Sequence, residues 1–278
     1  MARTSIHSLI KKYGIAPRKR LGQHFLSAMP TMEKIVASLE IEEGEDIVEI
    51  GPGLGVMTQL VAEHAHRVFA VETDEELLNI AREELAGVFN ISWIKGDILG
   101  ETIPSIVGRS KRKIAVIGNL PYNISSPIIF WMLDNREMIS RALIMAQKEV
   151  AVRLSTGPGG KEYGILSVLL QACADCKRLF DVSPSSFIPA PRVSSSIVRI
   201  VFKENVRLAC GEGWFKAVVK GAFGKRRKTL RNAILGAHAL KIDPAPLDAA
   251  LLECGIDGRR RPETLSVAEF AALASRLE

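Results

Sequence analysis

Residues 46–55 read Asp-Ile-Val-Glu-Ile-Gly-Pro-Gly-Leu-Gly, a short apolar run that breaks into three alternating glycines. Its length and near-continuous apolar character fit a strand covered on both faces. Val56 to His64 fits a helix, so the stretch reads strand, tight turn, helix. The rhythm repeats outward. Arg67–Val71 is a second strand, with a helix from Asp74 to Leu85 behind it. Ile91–Lys95 is a third strand, and Ile114–Gly118 a fourth with a helix from about Ser126 to Leu133. Ala142–Ala146 is a fifth, and Ile35, Val36 and Leu39 predict a helix upstream from about Thr31. Strands alternating with helices through right-handed crossovers give an α/β fold with a mostly parallel, doubly wound, Rossmann-like sheet.

The rhythm changes after Gly157-Pro158-Gly159-Gly160. Residues 177–182 and 195–203 read as two more strands around a Pro-rich loop, Phe187-Ile188-Pro189-Ala190-Pro191-Arg192. Beyond about residue 205 only short helices are expected, among them Arg226 to Leu235 and Ser266 to Leu277. The expected organisation is an irregular basic arm over residues 1–30, a sheet domain over 31–205 and a smaller helical domain over 206–278.

Composition excludes several classes. With 47% hydrophobic and 24% charged residues over 278 positions, the chain has the balance of a folded globular protein and cannot be largely disordered. The longest apolar run, Ile128 to Leu133, is far below the ~18 residues of a membrane span. The basic N-terminus is followed by no apolar block, so no secretory signal is read. Cys173 and Cys176 form a lone C-x-x-C without the second close pair that a zinc site wants, and core packing is the plainer reading. Few cysteines and no signal fit a reducing cytoplasm.

Charge informs by place. The net charge is +6, and residues 1–32 carry six cations (Arg3, Lys11, Lys12, Arg18, Lys19 and Arg20) with no acid, leaving the remainder balanced. A second basic knot is Lys225, Arg226, Arg227, Lys228 and Arg231. Two knots on a neutral background point to a polyanion, nucleic acid first; a solvated arm and a solvated helix face are the plain alternative.

Three strand ends carry the chemistry. The turn Gly51-Pro52-Gly53-Leu54-Gly55 lets a ligand approach the main chain. Glu72, ending the second strand, is placed to accept hydrogen bonds from both hydroxyls of a ribose. A plain turn and a surface acid would read the same way singly; together they point to an adenosine-containing cofactor. The spacing G-x-G-x-G differs from the G-x-G-x-x-G that seats a pyrophosphate, and S-adenosylmethionine has no pyrophosphate. Asp97 can accept from the adenine amino group, or simply cap a helix. Asn119-Leu120-Pro121-Tyr122 ends the fourth strand. There the Asn119 side-chain carbonyl and the Leu120 main-chain carbonyl can accept both hydrogens of adenine N6, a poor nucleophile. They would stabilise the positive charge that grows on nitrogen as the N–C bond forms. Tyr122 can stack on the base. No general base or metal is required, because a sulfonium leaving group makes transfer downhill, and the work is alignment.

At this point the chain resembles a known family. Leu21-Gly22-Gln23-His24-Phe25-Leu26, the glycine turn, Asn119-Leu120-Pro121-Tyr122 and Phe187-Ile188-Pro189-Ala190-Pro191-Arg192-Val193 are similar to motifs of the rRNA adenine dimethyltransferases. Residues 147–151, 163–168 and 226–232 resemble the subgroup that acts on the small ribosomal subunit. The resemblance spans residues 18 to about 235. It implies S-adenosylmethionine contacts at His24, Leu26, Gly51, Gly53, Glu72, Asp97 and Asn119, and it implies that Phe187 flanks the target base opposite Tyr122. His24 departs from the Asn found in many members. The resemblance further implies the substrate: two adjacent adenosines in the 3′-terminal stem-loop of 16S rRNA, each methylated twice during small-subunit biogenesis. The knot at Lys225, Arg226, Arg227, Lys228 and Arg231 would hold rRNA phosphates. The expected enzyme is cytoplasmic and monomeric, with neither membrane nor metal. The rivals are the large-subunit rRNA methyltransferase of the antibiotic-resistance type, whose turn usually reads Asn-Ile-Pro-Tyr, a non-catalytic nucleic-acid-binding relative, and a nicotinamide dehydrogenase.

Overall fold

The computed structural model describes residues 4–18, 22–108, 112–204, 206, 208–225 and 227–278. Its strands are β1 (Phe25–Leu26), β2 (Asp46–Ile50), β3 (Arg67–Glu72), β4 (Ile91–Lys95), β5 (Ile114–Asn119), β6 (Ile139–Gln147), β7 (Ala174–Val182), β8 (Phe187–Ile188) and β9 (Ser195–Phe202). Seven form one sheet in the order β4-β3-β2-β5-β6-β9-β7. The pairs from β4 through β6 are parallel, and β9 joins β6 antiparallel. The central strands are apolar because helices cover both faces: Ile47, Val48, Ala115, Val116 and Ile117 are fully buried. The expected mostly parallel sheet is thus present, with its first five strands within a few residues of their expected bounds.

The chain runs β2, β3, β4 in one direction and resumes with β5 on the other side of β2. That reversal opens a crevice beyond the carboxyl ends of β2 and β5, where open α/β sheets bind ligands. The register sets Ile50 of β2 beside Gly118 of β5. A Cβ on Gly118 would stand 2.9 Å from the Ile50 carbonyl oxygen, so glycine is what lets the two strands meet there.

The chain forms two compact units, residues 1–151 with 177–202, and residues 152–176 with 203–278. This differs from the single boundary expected near 205. The helix Ile165–Cys173 is apolar on nearly every side and buries Leu166, Val168, Leu169 and Leu170. It packs on the helices Glu212–Phe223 and Val267–Leu277. The ring of Tyr163 meets Phe223 edge-on at 6.5 Å, and Phe223 lies 5.7 Å from Phe270. An all-round apolar helix needs a partner surface, and sequence distance concealed which one it takes.

Residues 1–30 are not an irregular arm throughout. Ile6–Tyr13 is a helix, capped by the Ser5 side chain and ended by Gly14 in the left-handed conformation. Its Ile6 and Leu9 are buried in the core of the first unit. β1 pairs with β8, Phe25 opposite Ile188 and Leu26 opposite Phe187. The second knot also differs from expectation. The helix there is Leu230–Leu235, and Arg227 precedes it with φ 67°. Arg227 and Arg231 therefore do not share a helical face, and Arg226 lies outside the described residues.

Candidate active site

A cavity in the first unit gathers the strand ends. It is lined by Gly51 and Gly53 after β2, Glu72 ending β3, Gly96 and Asp97 after β4, and Asn119, Leu120 and Tyr122 at the end of β5. Ile6, Gln23, His24 and Leu26 from the N-terminal segment line it as well.

The glycine turn is held over Glu72 by its own amides. Gly51, Gly53 and Gly55 all have positive φ, and the Gly53 amide donates to Glu72 Oε2 at 3.1 Å. The Asp74 amide donates to Glu72 Oε1 at 2.9 Å. Oε1 also accepts from the Thr73 hydroxyl at 3.3 Å, so Glu72 is fixed in place and Oε2, with one donor, is still able to accept. Burial raises its pKa against the pull of these backbone donors. Asp97 is exposed and caps the short turn that follows, Oδ1 accepting from the Leu99 amide at 3.0 Å. The capping role is therefore real, and its second oxygen is left over.

Asn119 is oriented. Its Nδ2 donates to the His24 main-chain carbonyl at 3.0 Å, which turns Oδ1 to the opposite side as an acceptor. The Leu120 amide donates to the Met145 carbonyl of β6 at 3.0 Å, fixing the turn. Tyr122 shares a 2.7 Å hydrogen bond with the Ser195 hydroxyl, and its ring stacks on His24 with centroids 5.5 Å apart. Burial raises the Tyr122 pKa, the Ser195 contact opposing it.

An oriented amide oxygen and an aromatic ring at the end of a strand, beside an acid-lined cavity, are what methylation of a ring amino group calls for. Residues 15–277 match the family of ribosomal RNA adenine dimethylases. The chain belongs to that family. Ribosomal RNA small subunit methyltransferase A of Syntrophus aciditrophicus is 43% identical to it over 276 residues, 99% of each chain. The protein of that name in Geobacter sulfurreducens is 44% identical over 266 residues, 95% of this chain and 96% of its own. Two solved structures share the fold at 24% identity. A dimethyladenosine transferase from Plasmodium falciparum has a TM-score of 0.78, covering 90% of this chain and 95% of its own. The 23S rRNA methyltransferase ErmE has a TM-score of 0.70, covering 91% and 99%.

In this dimethylase the cavity brings together every residue expected from the sequence to touch cofactor, Asn119 among them, and Leu120 and Tyr122 besides. Phe187 is not among them. It is 3% exposed, sits in the hydrophobic core and does not line the cavity, because its backbone is paired with Leu26 in the short β1–β8 ribbon. The His24 imidazole is turned toward the Tyr122 side, with Nδ1 2.7 Å from the Pro189 carbonyl.

The basic knots of the dimethylase are partly spent within the chain. Lys12 pairs with Glu84, and Arg18 pairs with Asp74 at 2.9 Å and Glu76 at 2.7 Å. Arg231 makes a bidentate pair with Asp248 at 2.5 and 2.7 Å. Lys225, Arg227 and Lys228 are exposed.

Sequence reading missed four residues here. Ile6 reaches the cavity, and the spacing Ile6, Leu9, Ile10 was the available signal for its helix. Gln23 donates to Asp74 Oδ2 at 2.9 Å. Ser195, fully buried, carries the Tyr122 contact. Glu49 is fully buried, and neither carboxylate oxygen has a hydrogen-bond partner among the described residues. Burial pushes its pKa up to about 7, with the Glu72 carboxylate adding to the rise and Thr58 opposing it.

Proposed function

We propose that the chain is the small-subunit enzyme of its family: it methylates N6 of two adjacent adenosines in the 3′-terminal stem-loop of 16S rRNA, twice each, with S-adenosylmethionine, during small-subunit assembly. The observation that carries this reading is the fixed Asn119 amide, whose oxygen is presented at the cavity while its nitrogen is held by His24. The near full-length likeness to proteins named for the small subunit supports the choice of substrate.

The residues fit the cofactor. A Cβ on Gly51 would meet no protein atom within 4 Å, so the bare glycine leaves its space to the cavity. Among the described residues the lining holds Glu72 and Asp97 and neither Lys nor Arg, which suits a sulfonium cation and not a pyrophosphate. Glu72 would take the ribose hydroxyls and Asp97 the adenine amino group. When bound, the cofactor supplies a methyl on a positively charged sulfur. Asn119 Oδ1 and the Leu120 carbonyl accept the two N6 hydrogens and stabilise the charge growing on that nitrogen. Tyr122 stacks on the base, which costs least to extract from a loop. After one transfer the positively charged N6 releases a proton to solvent and keeps one hydrogen, so rotation about its bond to the ring allows a second transfer in the same place. In this reading the enzyme works as a cytoplasmic monomer without a metal.

The test is incubation with labelled S-adenosylmethionine and unmethylated small or large subunits, followed by mapping of the modified bases. Label on two neighbouring adenosines near the 3′ end of 16S rRNA is expected. Label confined to the large subunit would assign the other branch of the family.

A further inference from the structure

Tyr122 is held from two sides. His24 stacks on its ring, and the Ser195 hydroxyl meets its phenol oxygen at 2.7 Å. The two contacts restrict different motions. The phenol oxygen lies on the axis about which the ring spins, so a hydrogen bond there cannot set the ring plane; it fixes the swing of the whole ring about Cα–Cβ. The stacked imidazole restricts the spin.

Ser195 is a rigid anchor. It is fully buried and is the first residue of β9, opposite Gln147 of β6. The Lys148 amide donates to the Ser194 carbonyl at 3.0 Å just before it. Just after it, the Ser196 hydroxyl donates to Asp181 at 2.6 Å, and Asp181 is itself paired with Lys148 at 2.7 Å. A hydroxyl fixed on both sides along its strand transmits its position to whatever it bonds. The Asn119 amide is fixed independently through His24 and β6. The angle between the Tyr122 ring and Asn119 Oδ1 is therefore set by the distance between β5 and the start of β9, bridged by one hydrogen bond.

We propose that Ser195 is a positioning residue for methyl transfer, holding the Tyr122 ring at the swing angle at which a stacked adenine presents N6 to Asn119. This rests on the reading of Tyr122 as the stacking ring. A misplacement of about 1 Å at a reacting centre can cost about 10²-fold in rate, so a ring free to swing should cost measurably in turnover and little in binding. One neutral hydrogen bond corresponds to roughly tenfold.

Four variants test it: Ser195→Ala, Tyr122→Phe, the two combined, and Tyr122→Ala. Each is assayed for kcat and KM with unmethylated small subunits, for S-adenosylmethionine affinity by calorimetry, and for thermal midpoint. Ser195→Ala and Tyr122→Phe should each lower kcat about tenfold, with cofactor affinity unchanged and the midpoint lowered by no more than about 4 °C. The combined variant should be no slower than either, since both changes remove the same bond. Tyr122→Ala, which removes the ring, should fall well below all three. Wild-type kcat in both single variants, or a combined loss equal to the product of the two, overturns the positioning role. If Tyr122→Ala is inactive in that case, the stacking role stands without it. A fully active Tyr122→Ala overturns the stacking role and the proposal together.

Discussion

Two buried carboxylates near the glycine turn do different work. Glu72 has backbone donors on both oxygens, while Glu49 has none. Glu72→Ala should weaken S-adenosylmethionine binding in a calorimetric titration, because the ribose loses its acceptors, and RNA binding without cofactor should be nearly unchanged. Glu49 should make stability depend on pH. Its folded pKa is raised from 4.5 to about 7, so the folded state binds the proton more tightly than the unfolded chain. The stability it contributes is fully present below pH 4.5 and is lost as pH rises through 7, about 3 kcal/mol in all. Denaturant titrations at pH 5 and pH 8 should show that loss in the wild type and a flatter response in Glu49→Gln. The sequence displayed Glu72, Asp97 and Asn119 openly, since each lies at the end of a strand or just past it. It did not display Glu49 or Ser195, because their importance lies in what their side chains meet across the fold. Phe187 shows the reverse limit: its motif marks the loop, while pairing with Leu26 decides where the ring goes.

At the scale of elements, the N-terminal segment is the largest departure from expectation. Basic residues and breakers suggested an irregular arm, but the apolar spacing within Ile6–Tyr13 puts Ile6 and Leu9 into the core. Lys12 and Arg18 then bond to acids of the helix Glu75–Glu84 or its cap. The exposed Arg18–Glu76 pair contributes little, and each of the others has its cation in solvent, so the apolar contacts should dominate. Leu9 is 1% exposed, and Leu9→Ala should destabilise the protein by about 2–5 kcal/mol in denaturant unfolding. An arm free in solution would give no change. The parallel strands were legible because each is an apolar run bounded by turn residues. The helix Ile165–Cys173 was not assigned to its unit, since apolar character announces burial without naming the partner.

Over the whole molecule, the chain visits its second unit twice, and the basic knot near residue 228 belongs to that unit. Arg231 is engaged with Asp248, so Lys225 and Lys228 are the better probes of phosphate binding. Reversing both to Glu should weaken binding to small subunits and flatten its dependence on salt, because fewer condensed counterions are released. Cofactor affinity should not change, since the described residues that line the cavity all belong to the first unit. Wild-type affinity and salt slope in the double variant would make the knot a solubilising surface.

Asn119 as the acceptor for adenine N6 is the centre of the proposed reaction, and single-turnover methyl transfer by Asn119→Ala on unmethylated small subunits tests it most directly. The change removes one stabilising oxygen and leaves the Gly51 and Glu72 side of the cavity in place. Transfer should slow by about 10²–10³-fold, while S-adenosylmethionine affinity stays within severalfold of wild type. Transfer within severalfold of the wild-type rate would contradict the role given to Asn119.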